Sequence, residues 1–497
     1  MENILIKLKE SNQIECKLAK KSFPKEALYT YSAFANTEGG ILILGIEEKN
    51  GKFIISGVEN SEKIKKEMFD ILNNSEKVSK NIITDDMVDE IEKNGKKILI
   101  ISIPKASYKD KPIYLNRNFG QTYKRNYEGD YHCSDSEIKA MIRDSSNETL
   151  DNTVIENFTI EDLDEKTLLS YRQRFSVLKP EHIFNELNDE NFLVKLGAAR
   201  KNRKTGIIEL TMAGLLVFGK TEVIKEFLPY FNLEYIDKSN PQMERWQDRV
   251  IYDGTWGEGN LYNFFFVVIE KLYNSVKKEF KLDDDNLVRT EKNAVQIALR
   301  EAFVNAIIHA DFKIEESLKI TRYPSYFQFE NPGELRITKE EFFNGGRTKP
   351  RNNTIQDIFR FLNLCERAGS GVPKILKATF ENSYKYPEIK NEHECFVLKF
   401  WNTSEIDNLK NITDTEKKIL SYIIKHKKIT NQSAREKLGL TKHEATYSFN
   451  SLLKKELIIK RGIGRGIHYV MNYSADKLKL QILEEMEKFC SKIKEML

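Results

Sequence analysis

Cysteine is scarce in this chain. Its 497 residues hold five, at positions 16, 133, 365, 395 and 490. The number is odd, the spacing is wide and no C-x-x-C pair occurs, so neither a disulfide framework nor a zinc site is expected. A strong charge of one sign is also missing: 79 Lys and Arg against 75 Asp and Glu leave a formal +4. Global charge therefore does not indicate a nucleic-acid partner, and local clusters must carry that argument. Long apolar runs are absent. Residues 1–17, MENILIKLKESNQIECK, are charged throughout, and the most apolar run, residues 264–269, is far shorter than a bilayer span. A protein of the reducing cytoplasm with no membrane segment is expected. No internal repeat is visible.

What is present suffices for real cores, with 40% hydrophobic and 11% aromatic residues. The length suits roughly three or four domains. The most informative stretch is 296–312, QIALREAFVNAIIHADF. Ile297, Val304, Ile307 and Ile308 recur at helical spacing, and Glu301 and Asn305, four apart, project from one side of that helix. An acid and an amide on an otherwise apolar helix are costly to bury unless something uses them. A nucleotide with its Mg²⁺ would do so, the amide oxygen serving as metal ligand and the acid orienting a water. A partly exposed helix with a polar edge is the alternative. His309 and Asp311 are expected to fix the helix end, and Cys365 to be core.

In the first 145 residues, alternation at Ile14, Cys16 and Leu18 predicts a strand, 25–36 a helix, 41–46 a buried strand, 47–51 a hairpin turn and 98–103 a further strand. Residues 111–131 interleave Lys111, Arg117, Lys124 and Arg125 with four tyrosines and Phe119. That mixture suits a phosphate backbone and stacked bases, with Lys124 and Arg125 as candidate contacts. A solvated hairpin with aromatic edge packing is the other reading.

Glu10, then Glu15 and Lys17 in an E-x-K triplet, then AFANTEGG at 33–40 and GIEE at 45–48 resemble the Schlafen core, also called the AlbA-like or divergent AAA-4 domain. The resemblance covers about the first quarter of the chain. It implies a metal-binding triad of Glu10, Glu15 and Glu48 that holds Mg²⁺ or Mn²⁺ and cleaves tRNA or rRNA, with Lys17 neutralising the phosphate. The third acid is Glu48 where the family has Asp, and Glu47 beside it could also serve. Many bacterial members are DNA-binding regulators.

Residues 146–285 are expected as a connecting α/β region without a catalytic constellation. Helices are predicted at 155–171, 192–196 and 261–280, and strands at 231–235 and 250–252; Lys201, Arg203 and Lys204 form a basic surface loop. The apolar segment 210–219 is similar to one that joins a Schlafen-like module to an ATPase-like one. Residues 286–402 carry the 296–312 helix, a turn at Asn331-Pro332-Gly333 and a loop Gly369-Ser370-Gly371 that opens another helix. Glycines before a helix N-terminus let backbone N–H groups reach a phosphate. This order resembles the GHKL ATPase fold. The resemblance implies Glu301 as base, Asn305 as Mg²⁺ ligand, Asn331 and Gly333 in the adenine-binding turn, and Gly369, Ser370 and Gly371 over the phosphates of ATP.

Residues 410–474 are predicted as three helices (412–425, 431–438, 441–455) and a glycine-tipped hairpin, the layout of a winged helix-turn-helix. Lys442, His443 and Tyr447 are candidate groove contacts, and Arg461 and Arg465 would meet phosphate; a winged helix used for protein contacts is the alternative. Residues 475–497 read as a helix suited to docking or dimer contact. The chain is thus expected to be an α+β multidomain protein: a Schlafen-core/AlbA-like domain (1–145), a connecting region (146–285), a GHKL-like α/β sandwich (286–402), a winged helix (410–474) and a final helix. Its expected partners are ATP, nucleic acid (RNA, possibly tRNA, or DNA through the winged helix) and further copies of itself. Two activities fit: a metal-dependent RNA endonuclease in stress or phage defence, or an ATP-binding transcriptional regulator.

Overall fold

The computed structural model describes residues 13–49, 52–146, 149–276, 294–346, 348–366, 369, 371–382, 384–392, 394–404, 412–426, 428–462 and 464–472. The chain forms two compact units, one running to residue 147 and one from residue 148. Both mix helices with sheets, as the α+β expectation requires. Glu10 and the expected helix at 475–497 lie outside the described residues.

The first unit runs β1 (Ile14–Lys17), α1 (Ala27–Asn36), β2 (Gly40–Leu44), β3 (Ile46–Lys49), β4 (Lys52–Ile55), α2 (Ser61–Leu72), β5 (Val88–Lys93), β6 (Lys96–Ile103), β7 (Tyr114–Leu115), β8 (Asn118–Asn126), β9 (Gly129–His132) and α3 (Asp135–Ser145). Its main sheet has the order β1-β2-β6-β5, with β1 parallel to β2 and the remaining pairs antiparallel. Both faces are covered, which is why β2 and β6 read as continuous apolar runs. On one face, Cys16, Ile41, Ile43, Ile98 and Ile100 pack against Ile46, Phe53 and Ile55 of the β3–β4 hairpin. On the other, Leu42, Leu44, Leu99 and Ile101 pack against Phe34 of α1 and Ile64 and Met68 of α2. α2 begins where Asn60 accepts from Lys63 N, and its Ile64, Met68 and Leu72 recur at helical spacing to meet that core. α1 is almost wholly buried, and the Asn36 amide donates to the Ile113 and Tyr123 carbonyls, tying β8 onto it.

The second unit runs α4 (Glu165–Leu178), α5 (Asp189–Leu196), β10 (Ala199–Lys201), β11 (Ile208–Leu210), α6 (Met212–Phe218), α7 (Thr221–Phe227), β12 (Leu233–Asp237), β13 (Asp248–Val250), α8 (Leu261–Asn274), α9 (Ala294–His309), β14 (Leu318–Arg322), β15 (Tyr326–Pro332), α10 (Lys339–Asn344), α11 (Asn353–Phe361), α12 (Gly371–Glu381), β16 (Glu388–Glu392) and β17 (Cys395–Trp401). A six-stranded sheet has the order β13-β12-β14-β15-β17-β16, antiparallel except for β12 with β14. Register aligns Tyr235, Ile320, Phe329 and Leu398 on one face, all buried in a common core with α8 and α9. Thus helices and sheet form two layers.

The boundary expected at 285 does not separate two cores. β12 and β13 come from the supposed connecting region yet belong to this sheet, and one core extends from Ile155 to Phe400. Two polar staples join the halves. The Tyr171 hydroxyl donates to Ile358 O at 2.8 Å, and Ile355 N donates to the Asp151 carboxylate at 2.8 Å. Asp151 thereby caps α11 from some 200 residues away in sequence.

Burial pushes the Asp151 carboxyl up, to about 6, against the lowering effect of the Ile355 and Thr354 N–H groups. An acid whose folded pKa is raised binds its proton more tightly in the native state. Its penalty therefore grows as pH rises from about 4 to about 6 and is complete above that, at roughly 3 kcal/mol. Thermal melts between pH 4 and 7 should show this contribution to the slope in the wild type and its loss in Asp151→Asn. Parallel profiles for the two proteins would refute it.

From residue 412 onward come α13 (Asp414–His426), α14 (Asn431–Leu438), α15 (Lys442–Lys454), β18 (Ile458–Arg461) and β19 (His468–Met471), the last two antiparallel. Ile419, Ile423, Ala445, Phe449 and Ile458 form their own small core. Thr430 and Thr441 each close a capping box at the start of α14 and α15.

Candidate nucleotide and nucleic-acid sites

Glu15 lies on the β1 face that looks toward α1, as its pairing with Leu42 fixes. Only 5% of it is exposed. Oε1 accepts from Lys17 Nζ at 2.6 Å and Oε2 from Arg125 Nη2 at 2.7 Å. Arg125 also donates to Asp130 Oδ1 at 2.9 Å, and Asp130 Oδ2 accepts from Thr30 Oγ1 at 2.7 Å. The Arg125 guanidinium lies 5.1 Å from the Phe34 ring centre. Both oxygens of Glu15 are therefore already matched to cations. Glu48 lies in β3, directly opposite Phe53 of β4, and β3 runs beside β1. Among the described residues no cluster of three His, Cys, Asp or Glu side chains is placed to hold a metal ion.

Arg125, expected on a nucleic-acid-binding surface, is instead buried, with 1% of its side chain exposed. β8 alternates, so Tyr123 and Arg125 turn inward while Lys124 turns outward. Lys111 is buried too and donates to Asn36 O. Lys124 pairs with Glu137 at 2.6 Å, and the exposed Arg117 pairs with Glu76 at 2.5 Å. The basic half of this stretch is thus largely neutralised. Of its aromatic half, Phe119, Tyr127 and Tyr131 are exposed, while Tyr123 is buried between Tyr29 and His132 with ring centres 4.9 and 4.4 Å away.

In the second unit, α9 and α12 pack together, and the N-terminus of α12 meets α9 where Asn305 stands. A Cβ built on Gly371 would lie 2.9 Å from Asn305 Nδ2 and 3.3 Å from Glu301 Oε2, so a larger residue there would push these side-chain ends aside. Beside it is an open hollow in which about 70 Å³ is open to the centre of a water molecule. Phe329, Phe396, Leu398, Ala302 and Ala306 give it apolar walls, and Asn305, Asn331, Gly369 and Gly371 all line it. An apolar hollow with a few polar groups fits a small ligand.

Two expected members are not part of its lining. Gly333 does not line the hollow; it has φ +92°, and its Cα lies under the Arg351 guanidinium. Glu301 lies one turn behind Asn305 and is 3% exposed, its Oε1 accepting from Arg300 and Lys374, each at 3.1 Å. Ser370 is outside the described residues.

The hollow also has members that sequence reasoning placed in other roles or passed over: His309, Glu334, Arg336, Thr348 and Arg351. Arg351 is pinned by donating to His309 O and Glu334 O, both at 2.8 Å. Burial first, then the charges of Arg351 and Arg336, hold the His309 imidazole down to about 3, so it is neutral at physiological pH. His309 continues the Glu301–Asn305 stripe by one turn, and that spacing was the available signal. Arg351 arrives from a loop and left none.

Farther along, Lys442, His443 and Tyr447 are exposed on α15 and Arg461 is exposed on β18. Arg465 falls in a short 3-10 turn between β18 and β19.

Comparison with known proteins matches three stretches of the chain. Residues 10–134 match the family model described as "Schlafen, AlbA_2". Residues 315–400 match one described as "Putative ATP-dependent DNA helicase recG C-terminal". Residues 139–234 match a domain of unknown function. Residues 10–134 are thus Schlafen/AlbA-like, and residues 315–400 resemble an ATPase module. No curated protein matches it. Among solved structures it is similar to the DIP2311 protein of Corynebacterium diphtheriae, with 16% identity, 94% of this chain and 98% of that chain covered, and a TM-score of 0.40. It is also similar to the N-terminal domain of a "Putative ATP-dependent DNA Helicase RecG-related Protein" from Nitrosomonas europaea, with 23% identity, 27% of this chain and 90% of that chain covered, and a TM-score of 0.21. Among the described residues no helix is long and apolar enough to cross a membrane.

Proposed function

We propose that this is a nucleotide-responsive nucleic-acid-binding protein whose second unit binds ATP with Mg²⁺. The observation that carries this reading is the bare Gly371 at the head of α12, pressed against Asn305 at the edge of an apolar-walled hollow. A helix N-terminus favours anionic groups, and a missing Cβ lets phosphate approach the backbone. In this reading Asn305 is the metal ligand, the Gly369 and Gly371 N–H groups hold phosphate, and the buried Asn331 amide meets the base edge. Bound Mg²⁺ would supply charge neutralisation on the phosphates. With Glu301 set back and held by two cations, nucleotide acts here chiefly as a conformational ligand.

The expected result is at least a tenfold loss of Mg²⁺-dependent binding of a fluorescent ATP analogue in Asn305→Ala, about 1.4 kcal/mol or more. With metal chelated, the two proteins should bind alike. Equal Mg²⁺-dependent binding would refute the assignment.

For nucleic acid, the exposed aromatics of the first unit and the α15–β18 surface are the contacts we favour, the latter in a winged-helix role. Between the regulator and endonuclease readings, the pairing of Glu15 with Lys17 and Arg125 supports binding without cleavage, because a cation would have to displace one of them. The Schlafen match keeps cleavage by Glu10, Glu15 and Glu48 as the second reading, with Mn²⁺ or Mg²⁺ and a tRNA substrate. Discrete tRNA fragments from the purified wild type would decide for it.

A further inference from the structure

Resting on the nucleotide reading above, we propose that Lys374 is the specificity-determining residue that distinguishes a nucleoside triphosphate from a diphosphate. It stands in the first turn of α12, three residues past Gly371. Its Nζ lies 3.1 Å from Glu301 Oε1 and 3.3 Å from Glu366 Oε1. The two partners differ. Glu301 is buried and holds a second cation on the same oxygen, Arg300 Nη2 at 3.1 Å. Glu366 has a side chain 61% exposed, so its pairing with Lys374 is solvated and weak.

Lys374 is thus the exchangeable cation of the cluster. Arg300 alone can keep Glu301 neutralised, and Glu366 loses little when released into water. A lysine ammonium on a flexible stem can swing between partners in a way a guanidinium fork does not. The one competing anion the site would receive is the outermost phosphate, at the α12 N-terminus beside Asn305. A diphosphate held by the Gly369 and Gly371 N–H groups lacks that group and leaves Lys374 on its carboxylates. A triphosphate draws Lys374 away and removes one of the two cations from Glu301, freeing that carboxylate to accept a hydrogen bond from water.

The test is calorimetric titration of the full chain with Mg-ATP and with Mg-ADP, for the wild type, Lys374→Met and Lys374→Arg. The wild type should bind ATP more tightly than ADP. Lys374→Met should lose roughly tenfold or more in ATP affinity, the size of a charge-assisted hydrogen bond, with ADP changed less than twofold. Lys374→Arg, which keeps the charge but swings less freely, should keep only part of the preference. Parallel loss of ATP and ADP would mean that Lys374 only props Glu301, and would overturn the proposal. An unchanged ratio in Lys374→Met would overturn it while leaving the pocket assignment intact. A wild type that binds neither nucleotide would overturn both.

Discussion

Arg125→Met is expected to destabilise the first unit by about 3–5 kcal/mol, the cost of removing one partner from a buried ion cluster. Arg125 bridges Glu15 and Asp130 through bonds of 2.7 and 2.9 Å. Without it, Glu15 keeps Lys17, whose side chain is 28% exposed, and Asp130 keeps only the Thr30 hydroxyl among the contacts described. Methionine fills the space over Phe34 but cannot satisfy two carboxylates. Hydrogen exchange of the full chain, read at amides of β2 and β6, should report the loss. A change below 1 kcal/mol would mean that both acids reach water. The double variant Arg125→Met/Glu15→Leu should recover part of the deficit, because apolar replacement of a buried pair is often close to neutral. This bears on the nuclease question. Glu15→Ala also leaves Arg125 short of a partner, so lost RNA cleavage in that variant reports folding as well as chemistry. Glu15→Gln with a stability measurement beside it is the cleaner comparison.

Gly214→Ala is expected to cost more than about 3 kcal/mol, beyond ordinary overpacking. The added Cβ would lie 2.0 Å from the Ala198 carbonyl oxygen and 2.8 Å from its carbon. Both are backbone atoms and cannot rotate away. Moving them breaks the Thr211 N bond to Ala198 O at 2.9 Å and disturbs the Thr211 hydroxyl, which donates to Gly197 O at 2.8 Å and caps α6. Behind Gly214, Leu215, Leu216, Val217 and Phe218 are all fully buried. Thermal unfolding should show a lowered midpoint or an insoluble product. A variant that melts with the wild type would show that the 198 segment yields freely.

Elements with strong periodicity were legible. The helix predicted at 296–312 is α9, Ala294–His309, and the buried strand at 41–46 is β2 with the first residue of β3. The cap at Asn188 and the left-handed Gly197 bound α5 more widely than the 192–196 estimate, because apolar spacing does not register a polar first turn. The helix placed at 155–171 begins instead at Glu165 behind Asp164; Thr159 closes a capping box on a separate short 3-10 turn. Asn305, Asn331, Gly369 and Gly371 all line one hollow. What composition could not reveal was direction. In a strand, neighbours face opposite ways, and Lys124 and Arg125 look alike in sequence until β8 turns one of them into the core. Nor could sequence show that residues 233–250 would add strands to a sheet whose other members begin at Leu318, because strand partners across a long loop leave no local trace.

That shared sheet sets the smallest heritable piece. Cutting the chain near 285 would bare the side of β14 that β12 now covers, exposing a row of amides and carbonyls that invites pairing between molecules. It would also strip α11 of its distant acidic cap. Recombination that moves the ATPase-like module from one protein to another must therefore carry the stretch from about residue 149 to about residue 404 as a single cargo.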